Sequence, residues 1–133
     1  MTPVRKNTLS KAQRLSGKKQ IALLFKAGQS FLISPIQVVY LAETNDTSPG
    51  VVAGFSAAKR KMPLAVQRNR MKRLLREAYR SNNSTLQSIT EQKKIHLSVL
   101  FIYTGNNLTT FNDIENKIRL VLKRLHAIFN SDK

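Results

Sequence analysis

Nine lysine and arginine side chains crowd into the 22 residues from Lys59 to Arg80: Lys59, Arg60, Lys61, Arg68, Arg70, Lys72, Arg73, Arg76 and Arg80. One acid, Glu77, stands among them, so the stretch carries a net +8, half of the chain's formal +16. Lysine and arginine are cations at neutral pH, and at this density their natural work is to hold phosphate. Groups suited to acid–base or metal chemistry are sparse. His96 and His126 lie far apart, and neither has a partner at metal-ligand spacing. The seven acids are scattered; Asp113 and Glu115 are two apart, a spacing that does not bring them together on a helix. There is no P-loop and no GxSxG. Cysteine is absent, which excludes disulfides, zinc knuckles and a thiol nucleophile. A metal-dependent nuclease would need clustered carboxylates, so no catalytic and no metal-binding residue is expected in this chain.

The element that must carry the basic groups is a helix. Pro63 suits a first turn, where its missing N–H costs nothing. Leu64, Met71, Leu74, Leu75 and Ala78 then fall at helical intervals and share one face at about 100° per residue. Asn69, Arg70, Lys72, Arg73, Arg76 and Arg80 spread over the opposite side, with Arg68 and Tyr79 on the border. Arg68/Lys72, Lys72/Arg76 and Arg76/Arg80 are like-charge pairs at i,i+4, which destabilise a helix, and only Arg73/Glu77 is an opposite pair at that spacing. An ordinary solvated helix would mix its signs. An external polyanion is the natural source of compensation.

The rest of the chain reads as support. Its 133 residues suit one domain: residues 1–14 are expected to be a flexible basic arm with Arg5, Lys6, Lys11 and Arg14, and residues 15–133 a single α+β domain, with nucleic acid the first partner its charge suggests and an anionic membrane the second. No run of about 18 apolar residues exists, so no membrane span is expected, and no membrane is expected among the partners. The basic N-terminus lacks the apolar core of a secretory signal, which leaves the cytoplasm as the default location. Leu15 and Ser16 open a short helix with a stripe of Ile21, Leu24 and Phe25. Gly28 is expected to end it with a left-handed conformation. Ser30 to Leu41 is strand-like but interrupted by Pro35, and Val51 to Lys59 is expected to pair with it as an antiparallel hairpin. In the polar segment 81–94, Leu86 and Ile89 could anchor a helical turn. His96 to Tyr103 is a strand. Thr110 and Asp113 resemble a capping box for a last, structural helix, whose late Lys123 and Arg124 complement its dipole. The order is α-β-β-α-β-α: an α+β fold with a small, mostly antiparallel sheet packed with helices.

The stretch GFSAAKRKMPLAVQRNRMKRLLREAYR resembles the signature of the protein subunit of bacterial ribonuclease P. That signature is a strand ending in a basic pair, here Lys59 and Arg60. A helix follows that carries Ala65, Val66, Arg68, Asn69, Arg70, Lys72, Arg73, Arg76 and Glu77. Phe25 with Gly28, and Tyr40 in the first strand, extend the likeness over most of the chain. The resemblance implies a left-handed β-α-β crossover around the basic helix. It implies two partners, a catalytic RNA subunit and precursor tRNA, whose 5′ leader is removed to give the mature 5′ end. Catalysis and the required magnesium would belong to the RNA, with no cofactor bound by the chain itself. It further implies a leader-binding cleft between the first helix and the sheet, with Phe25 and Tyr40 as stacking surfaces and Arg60 as a phosphate contact. The chain departs at Ile21, where the family commonly has an aromatic, and at Arg60, where lysine is common.

A ribosomal-type structural RNA-binding protein would match in size and charge, but not in the ordered RNRxKRxxRE helix after a strand. A DNA-binding helix-turn-helix needs a helix before the recognition helix; here a strand precedes it, and DNA is not expected as a partner.

Overall fold

The structure, a computed structural model, describes residues 18–44 and 49–130. The basic arm expected over 1–14, and the helix start expected at Leu15 and Ser16, lie outside the described residues. Eight elements follow in order: α1 (Lys18–Ala27), β1 (Gln29–Ile33), β2 (Ile36–Thr44), β3 (Gly50–Ala57), α2 (Ala65–Asn82), α3 (Ser84–Gln92), β4 (Ile95–Tyr103) and α4 (Phe111–Asn130). The sheet runs β1-β2-β4-β3, with β1/β2 and β2/β4 antiparallel and β3/β4 parallel. This is the expected α+β class, with a different pairing.

The hairpin expected between 30–41 and 51–59 does not form. Instead the chain turns at Ser34-Pro35, a cis peptide, and β1 pairs back on β2 from Ile33↔Ile36 to Gln29↔Tyr40. Proline has no N–H for a ladder and serves better in the turn. β4 lies between β2 and β3. It buries Leu97, Val99, Phe101 and Tyr103 on one face and Leu100 on the other, and a strand apolar on both faces belongs in the middle of a sheet. β3 therefore reaches β4 through α2 and α3, the long crossover that parallel pairing requires. The expected helical turn in 81–94 is a nine-residue helix, α3, anchored by buried Leu86 and Ile89.

Each face of the sheet has its own core. The larger one joins Val38, Val99 and Phe101 to Met71, Leu75, Ala78 and Tyr79 of α2, and to Ile114, Ile118 and Leu125 of α4. The smaller one is Leu24 of α1 on Val39 and Leu100. Gly28 closes α1, donating its N–H to Leu24 O at 2.8 Å, but not for the expected reason. Its backbone is not left-handed; rather, a Cβ would stand 2.5 Å from Leu24 O and 2.7 Å from Tyr40 O. Thr110 caps α4 as expected, its Oγ1 accepting the Asp113 N–H at 3.2 Å. Because α4 continues to Asn130, Lys123 and Arg124 sit before its last turn, beyond the reach of a useful dipole effect.

Candidate nucleic-acid interface

The chain enters α2 through a turn that the strands hold in place. Ala58 N–H donates to Tyr103 O and Met62 N–H to Ala58 O, both at 3.0 Å, and buried Met62 plugs the core beneath. Lys59, Arg60 and Lys61 are exposed on this turn. The helix starts at Ala65, with Leu64 in extended conformation ahead of it. Leu64 therefore falls outside the helical periodicity and is 59% exposed, not part of the apolar face, and Tyr79 joins that face instead.

Arg70, Arg73 and Arg76 stand exposed with Asn69, while Lys72 and Arg80 are half-buried. Glu77 pairs with Arg80 at 3.1 Å rather than with Arg73, an exposed contact of small energetic weight. Among the described residues, Arg70, Arg73 and Arg76 have no ion-pair or hydrogen-bond partner. Arg68 is committed within the fold. Its guanidinium donates to Met62 O at 3.0 Å and Pro63 O at 2.7 Å, clasping the turn to the helix. The first turn of α2 has neither an acid nor a side-chain cap, so its open N–H groups and the helix dipole add to the positive potential.

The α1 side of the sheet is less covered. Leu24 points at the sheet. On one flank of it Leu23 lines a shallow pocket with Leu41, Glu43, His96 and Ser98. Phe25 is turned about 100° from Leu24 the other way, and beyond Val39 and Leu100 the sheet continues in the cross-strand row Leu32, Gln37, Ile102 and Ser56. Phe25 is 57% exposed, so it is not a core residue. The Lys59–Lys61 turn leaves the same end of the sheet, where Ala57 pairs with Tyr103. The basic turn with Arg60 therefore stands at one end of that open row. Tyr40 is not on this side. Strand side chains alternate, Val39 takes the α1 side, and Tyr40 faces α4. Its ring centroid is 6.0 Å from that of Phe31 and 6.3 Å from that of Phe129, and its hydroxyl donates to Gln29 Oε1 at 3.3 Å. The expected single cleft of Phe25 with Tyr40 is not formed.

Among the described residues, no three His, Asp or Glu side chains come together as a metal site, and no helix is long and apolar enough to cross a membrane. Burial pushes the Tyr79 hydroxyl up to about 12, with the nearby Asn83 and Gln87 side chains pulling the other way without forming a good hydrogen bond to it. A buried hydroxyl without a well-formed partner is a cost, so Tyr79→Phe is expected to leave stability at pH 7 unchanged or slightly raised. The folded pKa exceeds the unfolded one, so the folded state holds its proton longer. Stability is intact below about pH 10 and falls between about 10 and 12. Urea unfolding across that range should show the wild type losing roughly 2–3 kcal/mol more than the phenylalanine variant; parallel curves would refute it.

Sequence reasoning misses a network at the end of α2. Asn82 Nδ2 donates to Ala78 O at 2.8 Å and Glu115 Oε2 at 3.0 Å, and Asn82 Oδ1 accepts from Arg119 Nε at 3.2 Å. A signal for it exists: Glu115 and Arg119 are opposite charges at i,i+4 on a helix that reads as purely structural.

A family model described as ribonuclease P matches residues 9–126. The chain is 32% identical over 117 residues to the "Ribonuclease P protein component" of Porphyromonas gingivalis, spanning 88% of this chain and 85% of that one. It is 34% identical over 136 residues to the protein of the same description in Chlorobium phaeobacteroides, spanning 96% and 92%. In fold it is similar to the Staphylococcus aureus RNase P protein, with TM-score 0.68 and 23% identity over 86% of this chain and 95% of that one. The Thermotoga maritima RNase P protein gives 0.65 and 22% over 84% and 96%.

Proposed function

The chain belongs to the ribonuclease P protein family, as the protein component of that tRNA-processing holoenzyme, and from this premise we propose how its two faces divide the work. The outer face of α2 docks on the catalytic RNA subunit, through Arg70, Arg73 and Arg76 with Lys72, Arg80 and Asn69 beside them. Lys59 and Arg60 extend the contact from the preceding turn, and Arg68 supports it by fixing that turn. The observation that carries this reading is three exposed arginines on one helix face without partners of their own. Phosphate oxygens would offset their mutual repulsion and release counterions on binding.

The 5′ leader of precursor tRNA runs along the open row between α1 and the basic turn. Phe25 offers a stacking surface and Arg60 a phosphate contact. Magnesium and the bond-breaking step reside with the RNA, and the protein works in the cytoplasm. The chain supplies position and charge.

The direct test incubates precursor tRNA with this protein, with and without its RNA subunit, at physiological magnesium. Cleavage at the mature 5′ end is expected only when the RNA is present; specific cleavage by rigorously RNA-free protein would overturn the division of labour. Base stacking on an aromatic is worth about 1–3 kcal/mol. Phe25→Ala should therefore weaken holoenzyme binding of leader-bearing tRNA by that amount and leave mature tRNA almost unaffected. Equal losses for both substrates would remove Phe25 from the leader path.

A further inference from the structure

A second cationic feature lies on the helical layer, outside the face of α2. Asn82 and Thr85, at the junction of α2 and α3, and Arg119, Lys123 and His126 of α4 wall a cavity of about 220 Å³. Leu86 and Leu122 form its apolar floor. Each wall side chain brings an N–H or O–H donor, and two are permanent cations. The nearest acid, Glu115, is already engaged by Asn82 at 3.0 Å and by Arg119 at 3.4 Å. Those contacts, with the Arg119 Nε–H donated to Asn82 Oδ1 at 3.2 Å, orient the half-exposed guanidinium and leave the rest of its five N–H donors for a ligand. An oriented guanidinium forks onto phosphate oxygens at less entropic cost than a free one, and a concave site focuses its field.

We propose that this cavity is a second phosphate-binding site, taking a phosphodiester of the RNA subunit separately from the outer face of α2. A donor-rich rim over an apolar floor suits a phosphate with its attached sugar. The choice of RNA follows from position. The cavity belongs to the same helical layer as α2, whereas the row assigned to the leader is on the opposite face of the sheet. The inference rests on the reading that α2 docks on the RNA subunit.

The test measures affinity of the full chain for the RNA subunit against salt. It compares Lys123→Gln, the double variant Arg119→Gln/Lys123→Gln, and a variant with Arg70, Arg73 and Arg76 replaced by glutamine. Lys123 is exposed, so its variant should fold, as a thermal melt will verify. Each lost phosphate contact is expected to flatten the slope of log K against log salt by about 0.9, and to weaken binding roughly 5–10-fold at 0.1 M salt. Losses of one such step for Lys123→Gln and about two for the double variant support the site. Unchanged affinity and slope in both, with the α2 variant weakened, overturn this inference alone. No loss in any of the three overturns the α2 reading with it. A loss confined to precursor tRNA binding assigns the cavity to the substrate and overturns the proposal.

Discussion

Replacing Arg70, Arg73 and Arg76 together by glutamine is expected to weaken binding of the RNA subunit by roughly 10²–10³-fold at 0.1 M salt. Each phosphate contact contributes about 0.9 log unit to affinity at that concentration through counterion release. The slope against log salt should therefore become shallower by nearly three. Folding should survive, because all three side chains are exposed and their helix is held by Met71, Leu75, Ala78 and Tyr79 on its other side. Removing three like charges spaced along one face should, if anything, stabilise the free protein slightly. Arg68→Gln is the informative contrast. Arg68 donates to Met62 O and Pro63 O, so its loss should lower stability as well as affinity. Filter binding across a salt series, with urea unfolding beside it, separates the two effects. A triple variant with an unchanged slope would refute the assignment of this face.

What is legible in the sequence is local. The basic helix is plain because its charges and its apolar floor both repeat at the helical period, and α4 is plain through Ile114, Ile118, Val121 and Leu125. The misread positions are those where a distant element decides. Pro35 marks an interruption, but whether the chain bulges or reverses there depends on what β2 pairs with. The insertion of β4 between β2 and β3 joins segments that lie far apart in sequence. Its doubly apolar character, HLSVLFIY, is the one local hint. Alternation along β2 says that Val39 and Tyr40 face opposite ways, yet which face α1 covers is settled only by Leu24 packing on Val39 and Leu100. Leu64 has the right residue type for the floor, but the helix starts one residue after it. The candidate residues are thus half legible: Phe25 and Arg60 are exposed as a binding role requires, whereas Tyr40 belongs to the α4 side of the sheet.

Gly28→Ala is expected to cost about 1–3 kcal/mol, although alanine is the better helix former. The added Cβ would meet the carbonyl oxygens of Leu24 at 2.5 Å and Tyr40 at 2.7 Å. Both are backbone atoms, one at the end of α1 and the other in β2, and neither can rotate away. Gly105→Ala provides the scale. There the Cβ would meet side-chain atoms only, the Tyr103 hydroxyl at 2.6 Å and its Cζ at 2.7 Å; the ring is buried, but it can shift without moving backbone by giving up its 2.6 Å hydrogen bond to Asn107 O. The Gly105 variant should therefore lose less stability than the Gly28 variant, and the reverse order would refute the steric argument. In the Gly28 variant, α1 must lift from β2 and carry Leu24 away from Val39 and Leu100. Amide exchange should then speed first in α1 and last in β4. Because α2 packs on the other face of the sheet, RNA-subunit binding should persist at temperatures where the variant remains folded. The preference for leader-bearing over mature tRNA should fall by at least the stacking contribution of Phe25, about 1–3 kcal/mol. Loss of RNA-subunit affinity in step with leader preference would mean that the two faces of the sheet do not act independently.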